Sequence, residues 1–431
     1  MASNRIECKL ISALRDRAYK RYSQALRVYQ QTSINFKHSW LTTIIAECYS
    51  EIPPGQENKE HRATTLRYFE QAIEQNPRDA HLYKTAADYE MQINSRRYNV
   101  IESYYRSAIN INPFYLEALY SAAVLLNSQE PYPIVDADQR ILWLEQATRL
   151  DPDNWFGYAR LSYVYQEVTR DEDADTALHT AMVLSNPLLD WDEKFIQNSK
   201  LSKLYIANIL RLFKQYEAAL RIYLELNSFN EEADIMASAA LCYYHVAVRD
   251  GQPLNFKVTP LNWGVNSVVA RRPELNTLLR QYSEQASSVP QEVAGEQMIV
   301  WAEKSIKAAP NDARLHSLLG KYLILTDVTR AADEYRRAIE LNPVFGAALF
   351  SGAALYERSS SHISLGEAID WTERALQVSP DDPNYHFQLG NLYRKAGREE
   401  EAANAFTKAL LCSQPLDEQH VQAIEQMYCV G

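Results

Sequence analysis

The chain reads as all-α, a solenoid of antiparallel helix pairs with no sheet, and three observations carry that reading. Only 12 Gly and 17 Pro occur in 431 residues, below an ordinary usage of roughly 7% and 5%, which disfavours a loop-rich all-β chain. A segment that ends in a polar residue and proline recurs, closing at Pro77, Pro113, Pro152, Pro343 and Pro380, with looser copies closing at Pro187 and Pro310. Successive prolines lie 36, 39, 35, 33 and 37 residues apart where the copies adjoin, a period that marks stacked repeats.

The local pattern is helical. In the five close copies an alanine (Ala72, Ala108, Ala147, Ala338 or Ala375) stands five residues before the proline. Phe69, Tyr105, Leu144, Tyr335 or Thr372 lies three residues earlier, so both side chains share one helical face. Proline cannot continue a helix and turns its predecessor away from the α region, which separates each helix from the next.

Taken in order, residues 1–59 read as a diverged N-terminal repeat or cap: Tyr22 and Ala25 keep the second-helix spacing, and Trp40 to Tyr49 predicts a first helix. Residues 60–248 form the first array. Within it, Leu204, Tyr205 and Leu212 before Tyr216, and Ala219, Leu220 and Tyr223 after it, predict a pair without a closing proline. Glu231 to Val248 reads as another first helix. Residues 249–295 form an irregular insertion, where Asp250-Gly251-Gln252-Pro253, Thr259-Pro260 and Arg272-Pro273 mark loops and Pro273 to Ser288 is readable as a helix. The interrupted repeat is expected to resume at Glu296 to Ala309, although residues 273–309 also read as a complete diverged pair. A C-terminal array covers 296–415, and 416–431, with Val421, Ile424 and Met427 on one face, forms a capping helix.

Charge and motifs exclude several functions. With 44 Lys plus Arg against 55 Asp plus Glu the net charge is −11, a field that repels nucleic acid. No apolar run approaches the roughly 20 residues that span a bilayer, and the N-terminal segment lacks the apolar core of a signal peptide. Five scattered cysteines without a C-x-x-C pair suit a reducing, cytoplasmic setting and argue against disulfide or zinc frameworks. No phosphate loop, dinucleotide fingerprint, nucleophile elbow or H-E-x-x-H occurs. Gly320-Lys321 lies inside a helical pattern, and the nine histidines are never three or four apart. The chain is therefore expected to be no enzyme and to need no cofactor or metal.

The final copy carries Leu389-Gly390, Tyr393, Gly397, Ala402, Phe406 and Ala409. A second has Leu319-Gly320, Ala332, Tyr335 and Ala338, and a third has Leu161, Tyr165, Ala174, Leu178 and Ala181. These residues resemble the tetratricopeptide repeat, a helix-turn-helix of 34 residues. The resemblance implies a right-handed superhelix whose first helices line a concave groove. It places Arg314, Lys321, Phe350, Arg358, Asn384, Phe387, Asn391, Arg394 and Lys395 on that face in the last three repeats, with Glu357 as the single acid. Arg314, Lys321, Arg358, Phe387, Asn391, Arg394 and Lys395 are the candidate partner-binding residues. Trp263 in the insertion is either a tuck onto the solenoid or an anchor for a partner. Gly390-Asn391 echoes the carboxylate clamp of co-chaperones, but Phe387 stands where that clamp has lysine, so chaperone-tail binding is not implied. The expected function is a scaffold or assembly factor that binds proteins or extended, acidic peptides. A peptide-sensing regulator is the second reading, and an enzyme with its site in 249–295 the third.

Overall fold

The repeat turn both stops one helix and starts the next. In the computed structural model, the amides of Asn76, Asn112, Asn342 and Ser379 bond back to Ala72, Ala108, Ala338 and Ala375, closing the outgoing helix. Proline follows, and in four of the turns an Asp or Asn side chain then caps the incoming one. Asp79 accepts from the amides of His81 and Leu82, Asn154 from Phe156, Asp312 from Arg314, and Asp382 from Asn384 and Tyr385. Such a cap satisfies donors that the first turn of a helix leaves orphaned.

The structure describes residues 13, 16–17, 21–35, 39–52, 59–93, 97–125, 135–184, 199–212, 214–228, 232–248, 283–284, 288–324, 326–412 and 418–429. Among them are twenty helices and no strand. In chain order these are α1 (Tyr22–Asn35), α2 (Ser39–Ser50), α3 (Lys59–Gln75), α4 (Ala80–Gln92), α5 (Tyr98–Ile111), α6 (Leu116–Ala123), α7 (Ala137–Leu150), α8 (Trp155–Glu167), α9 (Asp171–Leu184) and α10 (Ser199–Leu212). They continue as α11 (Tyr216–Asn227), α12 (Ala233–Ala247), α13 (Gln291–Ala308), α14 (Ala313–Leu323), α15 (Val328–Leu341), α16 (Gly346–Arg358), α17 (Leu365–Val378), α18 (Pro383–Lys395), α19 (Glu399–Leu411) and α20 (Glu418–Cys429). None of the described helices is long and apolar enough to cross a membrane.

Two compact units result, one from residues 1–150 with 356–431 and the other from 151–355. The first contains the pairs α2/α3, α4/α5, α6/α7 and α18/α19, the second α8/α9, α10/α11, α12/α13 and α14/α15. Because α12 packs on α13, residues 249–290 lie between the helices of one pair. The second helix of that pair starts at Gln291 rather than Glu296, after Pro290 with φ −59°, whose missing N–H costs a helix start nothing. Trp263 and residues 249–282 lie outside the described residues, as does most of the Pro273–Ser288 segment.

Within pairs, three tight turns share one geometry. Thr169, Lys214 and Gly397 all adopt positive φ, 58°, 58° and 71°. The next amide bonds back across the helix end in each: Arg170 to Tyr165, Gln215 to Leu210 and Arg398 to Tyr393. Only glycine takes this conformation without a steric cost.

The seam inside a pair sets small residues against aromatic rings. A Cβ built on Gly390 would lie 2.7 Å from the Phe406 ring, and one on Gly320 would lie 3.1 Å from Tyr335. Phe406, Tyr335, Ala402 and Ala338 are all buried. In the first unit the two chain ends meet: Leu41, Ile44, Ile45 and Cys48 of α2, and Ala25, Leu26 and Tyr29 of α1, share one apolar core with Ala402, Phe406 and Ala409 of α19 and Val421 and Ile424 of α20.

Gly390→Ala should therefore lower stability by about 1–3 kcal/mol, the usual range for overpacking, and Gly320→Ala by less, since its ring neighbour needs to move only slightly. Gly295→Ala, which meets open space in α13, should instead gain up to about 1 kcal/mol of helix propensity. Urea midpoints of the three variants, followed by helical circular dichroism, check the ranking.

Candidate functional site

In the unit of residues 151–355, equivalent positions of successive first helices face each other. Arg314 and Asp234 are the second residues of α14 and α12, and their side chains pair at 2.9 Å. The same guanidinium holds the cap residue Asp312 at 2.6 Å, so two carboxylates neutralise Arg314. Its charge is committed inside the fold. Asp153 lies in the same field; water reaches it, yet the surrounding chain desolvates its carboxyl and pushes it up to about 6 against the pull of Arg314 and Lys321. Lys321 is exposed, with Nζ 5.1 Å from the centroid of Tyr244, and Tyr244 stacks on Tyr322. Asp234 and Tyr244 were not among the expected residues, although their positions in α12 repeat the register of Arg314 and of the α18 residues expected to line the groove.

The unit of residues 1–150 and 356–431 brings together Arg358 and Lys395. With Tyr356, Glu357, Ser359, Ser360 and Ser361 they line a polar recess of about 370 Å³ at the end of α16. Lys395 bonds Glu357 at 2.5 Å and stands 5.2 Å from the Tyr356 ring centroid. Arg358 is exposed, and Arg394, also exposed, reaches Asn391 at 3.5 Å. Phe387 is elsewhere: its ring lies 5.6 Å from Phe406 and 4.2 Å from His420, covered by α20 as part of the terminal core. The run Ser359-Ser360-Ser361-His362 went unread as a lining segment because it falls between helices, outside the groove register. Ser359 and Ser361 hydroxyls lie 2.6 and 3.0 Å from His362 Nδ1.

A second polar cluster in this unit is largely buried. Arg17 pairs with Glu47 at 2.8 Å and also donates to the Leu411 carbonyl. Nε2 of His81 lies 3.3 Å from Glu47 and 3.7 Å from Asp381, while Nδ1 meets the Tyr115 hydroxyl at 3.0 Å. Burial pulls the His81 imidazole toward neutrality, but Asp381, Glu47 and Asp79 outweigh it and hold its pKa up at about 9. His386 is the opposite case: burial pushes it down to about 4, and its Nε2 lies 2.9 Å from the Pro380 carbonyl. His316 makes the equivalent contact with Pro310, at 3.1 Å, so these two histidines are parts of the repeat turn. No group of three metal-ligating side chains occurs among the described residues.

Residues 383–413, the last pair, match the tetratricopeptide repeat. One repeat of that family thus lies at α18/α19. No curated protein matches the chain. Among solved structures it is similar to MamA (17% identity over 47% of this chain and 92% of that one, TM-score 0.33). It is similar also to YrrB, a tetratricopeptide repeat protein with an unusual peptide-binding site (18%, 54% and 96%, TM-score 0.34), and to a human IFIT1 dimer with PPP-AAAA (13%, 94% and 92%, TM-score 0.28). In tetratricopeptide terms, Arg358 and Lys395 close the ends of two first helices, and His81 takes the second position of another.

The two perturbed histidines should give the first unit opposite pH slopes. His81, raised from 6.5 to about 9, contributes fully below about 6.5 and loses its contribution as pH rises toward about 9. His386, lowered from 6.5 to about 4, contributes above about 6.5 and loses it as pH falls toward about 4. His81→Gln should flatten the alkaline limb of a stability–pH curve and His386→Gln the acid limb, read from urea midpoints between pH 4 and pH 10.

Proposed function

We propose that the protein is a non-catalytic interaction scaffold that captures an extended, acidic peptide segment of a partner protein, with Arg358 and Lys395 at the recess beside Tyr356 as the recognising groups. The observation that carries this is the exposed Arg358 guanidinium next to Lys395 and the serine hydroxyls in one polar recess. A guanidinium binds carboxylate through paired donors, and hydroxyls accept or donate to peptide groups beside it. Lys395 already holds Glu357, so a partner carboxylate would take the place of Glu357 or join it at Arg358. Three unpaired, buried cysteines, Cys48, Cys242 and Cys412, fit a role in a reducing, cytoplasmic compartment.

Arg358→Glu combined with Lys395→Glu should reduce capture of partners from an extract of the source cell at least tenfold, which corresponds to about 1.4 kcal/mol. Exposed substitutions should leave the helical unfolding midpoint within about 0.5 kcal/mol of wild type. Capture by wild type should also fall between low and physiological salt, as exposed charges are screened. Unchanged partners and salt response in the folded double variant would refute the reading.

A further inference from the structure

The two ends of the chain are joined by more than the apolar core. Asp381, in the turn between α17 and α18, reaches His81 at the start of α4. One turn earlier in α17, the Gln377 carbonyl accepts from Asn112 Nδ2 at 2.8 Å. Glu47 of α2 touches the same imidazole, and Arg17 ties Glu47 to the Leu411 carbonyl at the end of α19. Thus a segment of α17–α18 is seated on residues that begin α4 and follow α5, and a chain of charges runs from α2 through α4 to the C-terminal pair.

We infer that Asp381 is an internal ligand of the α4 face, and that Arg17, Glu47, His81 and Asp381 form a clasp holding the N-terminal helices shut against α18–α19 until His81 loses its proton. With His81 protonated the four groups sum to zero charge. Without that proton the four groups sum to −1, and the attraction between His81 and Asp381 is lost. The other groups around His81 do not replace the lost charge. Asp79 adds negative charge from the cap of α4, Tyr115 from the start of α6 offers a neutral hydroxyl, and Glu117 adds a further carboxylate. Lys84 on α4 is bonded to Asp88 at 2.8 Å and also feels Asp381 and Glu117, but its charge is present in both states of His81 and so does not replace the proton lost there, and His386 on α18 is held neutral by burial. At neutral pH the clasp is closed, so the second position of α4 serves the chain itself and not a partner.

Native thiols report on the clasp. Cys48 lies in the joined core of the first unit, and Cys242 lies in the second unit; both are fully buried, and burial pushes both up to about 12. The ratio of their reaction rates with N-ethylmaleimide, read by mass spectrometry of the full chain, therefore cancels the ordinary rise of thiol reactivity with pH. We expect this ratio to climb at least tenfold between pH 7 and pH 9.5 in wild type while circular dichroism is unchanged. In His81→Gln it should be high already at pH 7 and flat with pH. Asp381→Asn should raise it too, and the double variant should add little to either single change, because both break the same contact. A wild-type ratio that stays constant to pH 9.5, or single-variant effects that simply add, would overturn the clasp. Should His81→Gln fail to fold, the wild-type pH series and Asp381→Asn decide alone.

Discussion

A helix pair buries its inner seam but leaves an apolar face on each side, and every feature of this chain follows from the need to cover those faces. Interior pairs cover one another. At the pair α18/α19, Phe406 and Ala409 are covered jointly by α20 and by α1–α2. The array is thereby finished by residues from its own beginning, and the first unit gathers both chain ends. Removing one partner of the buried Arg17–Glu47 pair would leave a charge without water or counter-ion, which makes this junction an all-or-none arrangement.

Much of the fold was legible because its signals are local. The Asn-Pro and Ser-Pro stops, the Asp and Asn caps and the alanine–aromatic spacing each act within a few residues, and α3 to α9 and α14 to α19 follow from them. Gly390 was readable as a close-approach position because Phe406 follows at the family spacing. Thr169 and Lys214 were not readable as turn pivots, since neither residue type favours positive φ; backbone closure imposes it. The start of α13 was misplaced because Pro290 reads equally as a loop breaker and as a helix start.

The candidate site was less legible, for a physical reason. Register on a helix names the face a side chain occupies but not what stands opposite it. Arg314 and Lys395 were placed correctly on first helices as sequence positions, yet their carboxylate partners Asp234 and Glu357 come from other helices. Phe387 was read as groove-lining, whereas its ring meets His420 of α20; the capping helix was expected over 416–431, but helical register could not say that it reaches Phe387. The His81 cluster escaped notice because Arg17, Glu47 and His81 come from different helices and Asp381 lies far along the chain from all three. The one local sign was Glu47, an acid within the apolar stretch Ile44-Ile45-Ala46-Glu47-Cys48.

The bond from Arg17 to the Leu411 carbonyl spans 394 residues, and that separation orders the events of synthesis. A chain made at roughly 5–20 residues per second has emitted α1 and α2 long before α19 exists. Residues 151–355 are contiguous and can complete their own packing while the ribosome is still at work. The first unit cannot: Leu41, Ile44 and Cys48 lack the α19–α20 part of their core until those helices have left the exit tunnel. Loss of α19 and α20 would accordingly leave Leu41, Ile44 and Cys48 without part of their cover.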